Sequence, residues 1–219
     1  MADVATFDFD GTLTEGGSVM DFLVALRGIR TVLTATAALA PRLARGAVVG
    51  GTAADRTKEQ LFCRTLGGVS SSLVGEVSER FARHHVARHL RPEVRDRFEW
   101  HRDRGDRLVI VSASPEVYVR VAGTLLGADG VVATRLAVDE DGLLTGRYDG
   151  ANCRGEEKLR RLRSWVHDTG ADPDRLWAYG NSRGDLRMLR AADVGVNVGR
   201  LGRFGRLREF RGLGATGPG

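Results

Sequence analysis

Two carboxylates stand two residues apart in TFDFDGTLTE, residues 6–15: Asp8 and Asp10, behind an apolar run and ahead of Gly11. Acids at the end of a buried strand repel each other and are costly to desolvate. Something must compensate them, most simply a metal ion and a reaction. With Phe9 packed inward, the peptide groups of Phe9, Asp10 and Gly11 turn toward a ligand, and glycine lets the backbone approach it closely. One carboxylate can act as an oxygen ligand for Mg2+ and as a nucleophile. A second one nearby can deliver a proton to a leaving oxygen and later take one from water. The plain alternative is a strand-end turn with Asp10 and Gly11 as its turn residues.

Three later stretches carry compatible chemistry. In VSAS, Ser112 at a strand end can hydrogen-bond a phosphoryl oxygen, helped by backbone N–H groups at a helix start; as a bland alternative it caps the helix. In GEEKL, Lys158 can neutralise transferred phosphoryl charge as a point cation, or stand on a solvated helix face. In YGNSRGD, Asn181 and Asp185 are one helical turn apart and can face one site, where oxygen ligands would complete a Mg2+ site that keeps several waters. The alternative is a glycine-rich loop capping the next helix. HHVARH places His85 and His89 at i, i+4, a spacing that suits a metal pair, but no third ligand or nearby acid accompanies them. Arg56 and Lys58 fall on a helix and either steer an anionic substrate or line a solvated face.

The elements that must position these residues follow from periodicity. VATFDF reads as a short buried strand. From about 18 to 90 the pattern is helical: VMDFLVAL opens it, Thr52 caps a helix that stops at Gly67–Gly68, and a serine-capped helix carries Leu73, Val77 and Phe81 on one stripe. From Pro92 strands and helices alternate. A helix over 92–104 ends at Gly105, RLVIVSAS is a buried strand, and Ser114-Pro115 caps and opens a helix with proline at its first position. A hairpin turns at Asp141-Gly142, and a helix around 156–168 precedes strand 175–180, a helix near 184–191 and strand 193–198. The alternation predicts a Rossmann-like, doubly wound parallel α/β sheet, residues 1–15 and 91–219, with an all-helical cap inserted over 16–90. Ligands in such sheets sit beyond the carboxyl ends of the strands, so the turns Asp8–Thr12, Ser112–Ser114 and Gly180–Asp185 should converge.

Composition narrows the function further. The formal net charge is +5, but among 33 basic residues only Lys58 and Lys158 are lysine, and no aromatic-and-basic stacking pattern accompanies the charge, so nucleic acid is not the expected partner. In so arginine-rich a chain, a retained lysine points to a need for a compact ammonium. Cys63 and Cys153 are far apart, which suits a reducing cytoplasm. The N-terminus does not read as a signal peptide. TVLTATAALAP (31–41) is too short to span a bilayer and is followed by Arg42 and Arg45, leaving a peripheral membrane contact open. The tail from Gly199 interleaves Arg and Gly with Leu201, Phe204, Leu207 and Phe210, as a segment laid over the core or fraying from it would. The oligomeric state is not legible.

Taken together and in this order, DFDGTLT, VSAS, Lys158 in NCRGEEKL and GNSRGDLRML resemble the haloacid dehalogenase superfamily of aspartyl phosphatases over nearly the whole chain. The insertion after the first motif resembles the helical cap of the phosphoserine-phosphatase branch (type IB), and VSASPEVYV, ATRLAVDEDGLLTG and NCRGEEKLRRL look most like phosphatidylglycerophosphate-phosphatase-like members. The resemblance implies that Asp8 attacks phosphorus and Asp10 serves as acid and base. It also implies that Gly11, Thr12, Ser112, Ala113 and Lys158 hold the phosphoryl group, and that Mg2+ rests on Asp8, the Asp10 carbonyl, Asn181 and Asp185. The expected substrate is a lipid phosphate or a small organic phosphate ester. The family usually has an acid where this chain has Asn181. Two other functions remain open: phosphotransfer through the same intermediate, and binding or regulation on a weakened phosphatase scaffold.

Overall fold

The four residues of β1, Val4–Phe7, are fully buried and occupy the middle of a six-stranded parallel sheet in a computed structural model that describes residues 2–49, 51–199 and 209–216. On one side of β1 lie β3 (Arg107–Pro115) and β4 (Gly130–Thr134); on the other lie β7 (Leu176–Gly180), β8 (Val194–Asn197) and β9 (Arg211–Gly212). Val4 pairs with Arg107 and with Leu176, Phe7 with Ile110 and Tyr179, so the three central strands begin level with one another and β3 runs on past the end of β1. The chain builds outward to β4 and then returns across β1 to β7. This reversal opens a crevice at the carboxyl ends.

Alternate residues feed the two faces. Ala5, Phe7, Leu108, Ile110 and Tyr179 join one hydrophobic cluster; Val4, Val109, Val111 and Ala178 join the other. Phe7 stacks on Tyr179 at 4.4 Å, and the Tyr179 hydroxyl meets the buried His101 ring, whose other nitrogen meets Asp106 at 2.7 Å.

Between β1 and α5 (Pro92–Asp103) the chain inserts α1 (Val19–Arg27), α2 (Ile29–Val49), α3 (Gly51–Leu66) and α4 (Ser71–His89), with the two-residue strand β2 (Val69–Ser70) between the last two. β2 pairs with β6 (Leu143–Tyr148), which pairs with β5 (Leu136–Val138) about the predicted turn. Asp139 accepts the N–H groups of Asp141 and Leu143 there, and Gly142 takes φ +78°. The remaining helices are α6 (Glu116–Leu126), α7 (Glu156–Asp168) and α8 (Leu186–Ala191).

Several local expectations are corrected. The buried stripe of α4 is Val74, Val77 and Phe81, whereas Leu73 is exposed, one position out of phase. Thr52 lies inside the first turn of α3, not ahead of it. Pro115 ends β3 and occupies the N-cap of α6, so the helix opens at Glu116, and Ser114 caps nothing. In the tail, β9 extends the sheet and Phe210 packs on the second cluster; Leu201, Phe204 and Leu207 lie outside the described residues.

Candidate active site

The Asp8 backbone N–H continues the sheet to the Tyr179 carbonyl at 2.9 Å, and the chain then folds back, with the Leu13 N–H on the Asp8 carbonyl and the Thr14 N–H on the Phe9 carbonyl. This turn needs Gly11, at φ +76°. A Cβ there would lie 2.0 Å from Asn181 Nδ2, so the missing side chain is what lets the fourth motif close over the first. Arg91 reinforces the closure by donating to the Gly11 and Val198 carbonyls.

Asp8, Asp10, Gly11, Ser112, Ala113, Lys158, Asn181 and Asp185 line a single cavity of about 400 Å³, so the structure brings eight of the nine expected residues together. Thr12 is the exception. It is fully buried behind Asp8, and its hydroxyl donates to Asp8 Oδ2 at 3.1 Å, so it orients that carboxylate instead of facing the cavity. Lys158 bridges two acids, at 2.7 Å from Asp8 Oδ1 and 2.5 Å from Asp185 Oδ1. Burial pushes the Asp8 carboxyl up to about 7, with Asp185 adding to the rise and Lys158 opposing it. Burial lowers the basicity of Lys158, but the two carboxylates outweigh it and hold the ammonium charged.

Asp185 organises its own loop. Its Oδ2 accepts from the Asn181 and Ser182 N–H groups and from the Ser182 hydroxyl, while its Oδ1 is taken by Lys158. Both Asp185 carboxylate oxygens thus have partners in this geometry, while the side chain still lines the cavity. Asn181 differs: its Oδ1 is buried and has no hydrogen-bond partner. An orphaned hard oxygen beside Asp8 is what a cation ligand looks like before the ion is added. Among the described residues, no three His, Cys, Asp or Glu side chains converge on a metal-holding point.

Asp10 sits in different surroundings. One carboxylate oxygen accepts the Ser18 N–H at 2.9 Å, and the other accepts the Ser114 hydroxyl. Ser18 in turn meets the Tyr118 hydroxyl at 2.8 Å. Sequence reasoning missed Ser18, Ser114 and Tyr118, and it missed Arg154, which also lines the cavity. Arg154 carried one usable signal, its place four residues before Lys158 where a loop enters a helix. His85 and His89 stack at 4.7 Å, and His85 packs against Phe81 and Phe9. Arg56 is exposed, whereas Lys58 turns inward.

A site of this build on this sheet defines a hydrolase class, and the comparisons agree. Residues 5–190 match the family model described as haloacid dehalogenase-like hydrolase. The chain belongs to that family. It is 35% identical over 193 residues to protein CicA of Caulobacter vibrioides, covering 87% of this chain and 83% of that one. It is 27% identical over 190 residues to the phosphoserine phosphatase SerB2 of Mycobacterium tuberculosis, covering 87% of this chain and 42% of the relative. A solved Bordetella pertussis protein of unknown function shares the fold, with a TM-score of 0.80 and 21% identity, over 96% of this chain and 97% of that one. Among the described residues no helix is long and apolar enough to cross a membrane.

Proposed function

We propose that the chain is a Mg2+-dependent phosphomonoester hydrolase working through an aspartyl-phosphate on Asp8. The observation that carries this is the unequal treatment of the two acids. Asp8 is pinned by Lys158 and Thr12 at the cavity floor, and Asp10 is aimed separately by Ser18 and Ser114. An Asp8 oxygen attacks phosphorus in line as the bond to the alcohol oxygen breaks, and Asp10 gives that oxygen its proton. Asp10 then takes a proton from water, whose oxygen attacks the phosphorus, releasing phosphate and restoring Asp8. Ser112 and Lys158 hold the phosphoryl oxygens throughout.

Asp8, the Asp10 carbonyl and the orphaned Asn181 Oδ1 would hold the Mg2+. When bound, the ion supplies positive charge to a cavity whose three acids, Asp8, Asp10 and Asp185, otherwise face an anionic substrate. The substrate is a lipid phosphate or a small organic phosphate. The exposed Met20, Ile29 and Leu33 on α1 and α2 support the lipid arm, which competitive kinetics against phosphoserine would separate from the other.

The test is phosphate release from para-nitrophenyl phosphate with and without Mg2+. Asp8→Asn abolishes turnover and keeps the fold. Asp10→Asn lowers it by about 10²–10⁴-fold, most with poor alcohol leaving groups. Residual activity of Asp8→Asn above a few per cent of wild type (roughly, the scale on which one essential group acts) would place the nucleophile elsewhere.

A further inference from the structure

The two lysines of this arginine-rich chain have similar fates: both carry their ammonium groups inward, to neighbouring parts of one site. Lys158 serves the acids. Lys58 comes from the other side, on α3 of the inserted cap, and its Nζ donates to the carbonyl of Ala113 at 2.6 Å and faces Asn152 Oδ1 at 3.4 Å. Asp55 shares its helix face, three residues earlier, and accepts from Asn152 Nδ2 at 2.7 Å; Arg154 stands 3.9 Å from Asp55. One acid and one base on the cap thus meet an amide and a guanidinium on the core.

The contact at Ala113 reaches the chemistry. A planar peptide ties the Ala113 carbonyl rigidly to the Ser114 N–H, and that N–H donates to Ser112 Oγ at 3.1 Å. The Ser112 hydroxyl has one proton, and with its oxygen already accepting from Ser114 the proton is left for an acceptor in the cavity that Ser112 lines. We propose that Lys58 is a positioning residue: by clamping the Ala113 carbonyl from the cap, it sets the peptide that aims the Ser112 hydroxyl at the phosphoryl group. The cap is then part of the phosphate site, and its seating governs phosphoryl binding. This rests on the phosphatase reading above.

Three further observations fit. Burial pulls the Lys58 ammonium down to about 8, against the opposing pull of Asp10 and Asp55, so this charge is held where it is costly. The Ala113 carbonyl also accepts from Thr134 Oγ1 at 2.7 Å, so it is not left bare when Lys58 is removed. The Lys58 ammonium stands 5.5 Å from the Phe62 ring centre, a contact in which a methionine can replace the stem.

A double-mutant cycle tests the clamp. Wild type, Lys58→Met, Ser112→Ala and the double variant are compared for Mg2+-dependent hydrolysis of para-nitrophenyl phosphate and, independently of turnover, for binding of inorganic phosphate by calorimetry. Lys58→Met lowers kcat by about 10- to 100-fold, the scale of a small misplacement of a reacting group. It weakens phosphate binding while thermal unfolding stays close to wild type. In the Ser112→Ala background the same change has little further effect, within about twofold, because both act through one hydroxyl. Lys58→Arg, a charged donor on a longer stem, recovers part of the phosphate affinity. Effects that multiply in the double variant, an arginine variant no better than methionine, or a change confined to KM with phosphate binding unaltered would each overturn the clamp. If wild type releases no phosphate, the phosphatase reading fails by itself, and the phosphate-binding cycle still decides the role of Lys58.

Discussion

Asn181 presents a neutral oxygen to a cavity that already holds Asp8, Asp10 and Asp185, and that oxygen is buried without a partner. Replacing it by a carboxylate adds attraction for a divalent ion and removes no donor from the Asp185 cap, which uses the Asn181 backbone N–H. Asn181→Asp is therefore expected to lower the Mg2+ concentration for half-maximal activity by about tenfold, equivalent to about 1.4 kcal/mol. It should also increase the rise in melting temperature that Mg2+ confers, a readout that needs no turnover. If both curves stay where wild type has them, this loop is not the metal site. At this scale the residue types were legible and their directions only in part. Asp8, Ser112 and Lys158 face the cavity as their motifs imply. Thr12 turns instead to Asp8, while Ser114 and Asp185, which also line the cavity, bond Asp10 and the Ser182 loop with Lys158. The Ser114–Asp10 and Lys158–Asp185 contacts join distant segments, which no local pattern announces, whereas Thr12–Asp8 and Ser182–Asp185 close within single turns, as short polar side chains do. Lys58 was legible as an anomaly of composition and as a helix residue able to steer an anion, but not as a contact to Ala113.

Element types were readable because burial imposes a period. Both faces of β1 and β3 are covered, and their apolar runs show it. Phase was less secure: α4 buries Val74 where a stripe through Leu73 fits its spacing almost as well. The strand β2 is two residues long and exists because β6 is beside it, so no local pattern announces it. Nor could the sequence reveal how tightly α3 lies on β6. Gly146 takes φ +75°, and a Cβ there would stand 2.4 Å from Cys63 Cα and 2.7 Å from Cys63 N, so helix and strand touch backbone to backbone. Gly146→Ala should cost about 2–5 kcal/mol, combining left-handed strain with forced separation of the two elements. Because α3 carries Asp55 and Lys58, it should depress activity too. Gly142→Ala is the control: φ is similar at +78°, but the nearest atom is 3.8 Å away, so only the backbone strain of about 1–2 kcal/mol applies. Urea denaturation of the two variants separates the terms. Equal losses would mean that the α3–β6 contact has room to give.

For the molecule as a whole, the inserted segment reads in sequence as a separate helical unit, but its interior is not separate. Phe22, Leu39, Phe62, Leu66 and Phe81 from the insertion share one continuous hydrophobic cluster with Phe7, Phe9, Leu13 and Tyr118 of the core. Phe22 and Phe81 both pack against Tyr118, at 4.7 and 5.2 Å between ring centres. Each such fully buried side chain contributes about 1.5–3 kcal/mol, so neither part keeps its stability when the other opens. One cooperative transition is expected. The sequence supplies the probes: Trp100, Trp165 and Trp177 all lie in the core, on α5, α7 and β7, while helices α1 to α4 hold much of the helical signal. Urea unfolding followed by tryptophan fluorescence and by far-ultraviolet circular dichroism should give coincident curves with the same midpoint and slope. A circular-dichroism transition well ahead of the fluorescence change would mean that the cap melts first. The shared cluster around Tyr118 would then be too weak to hold cap and core together.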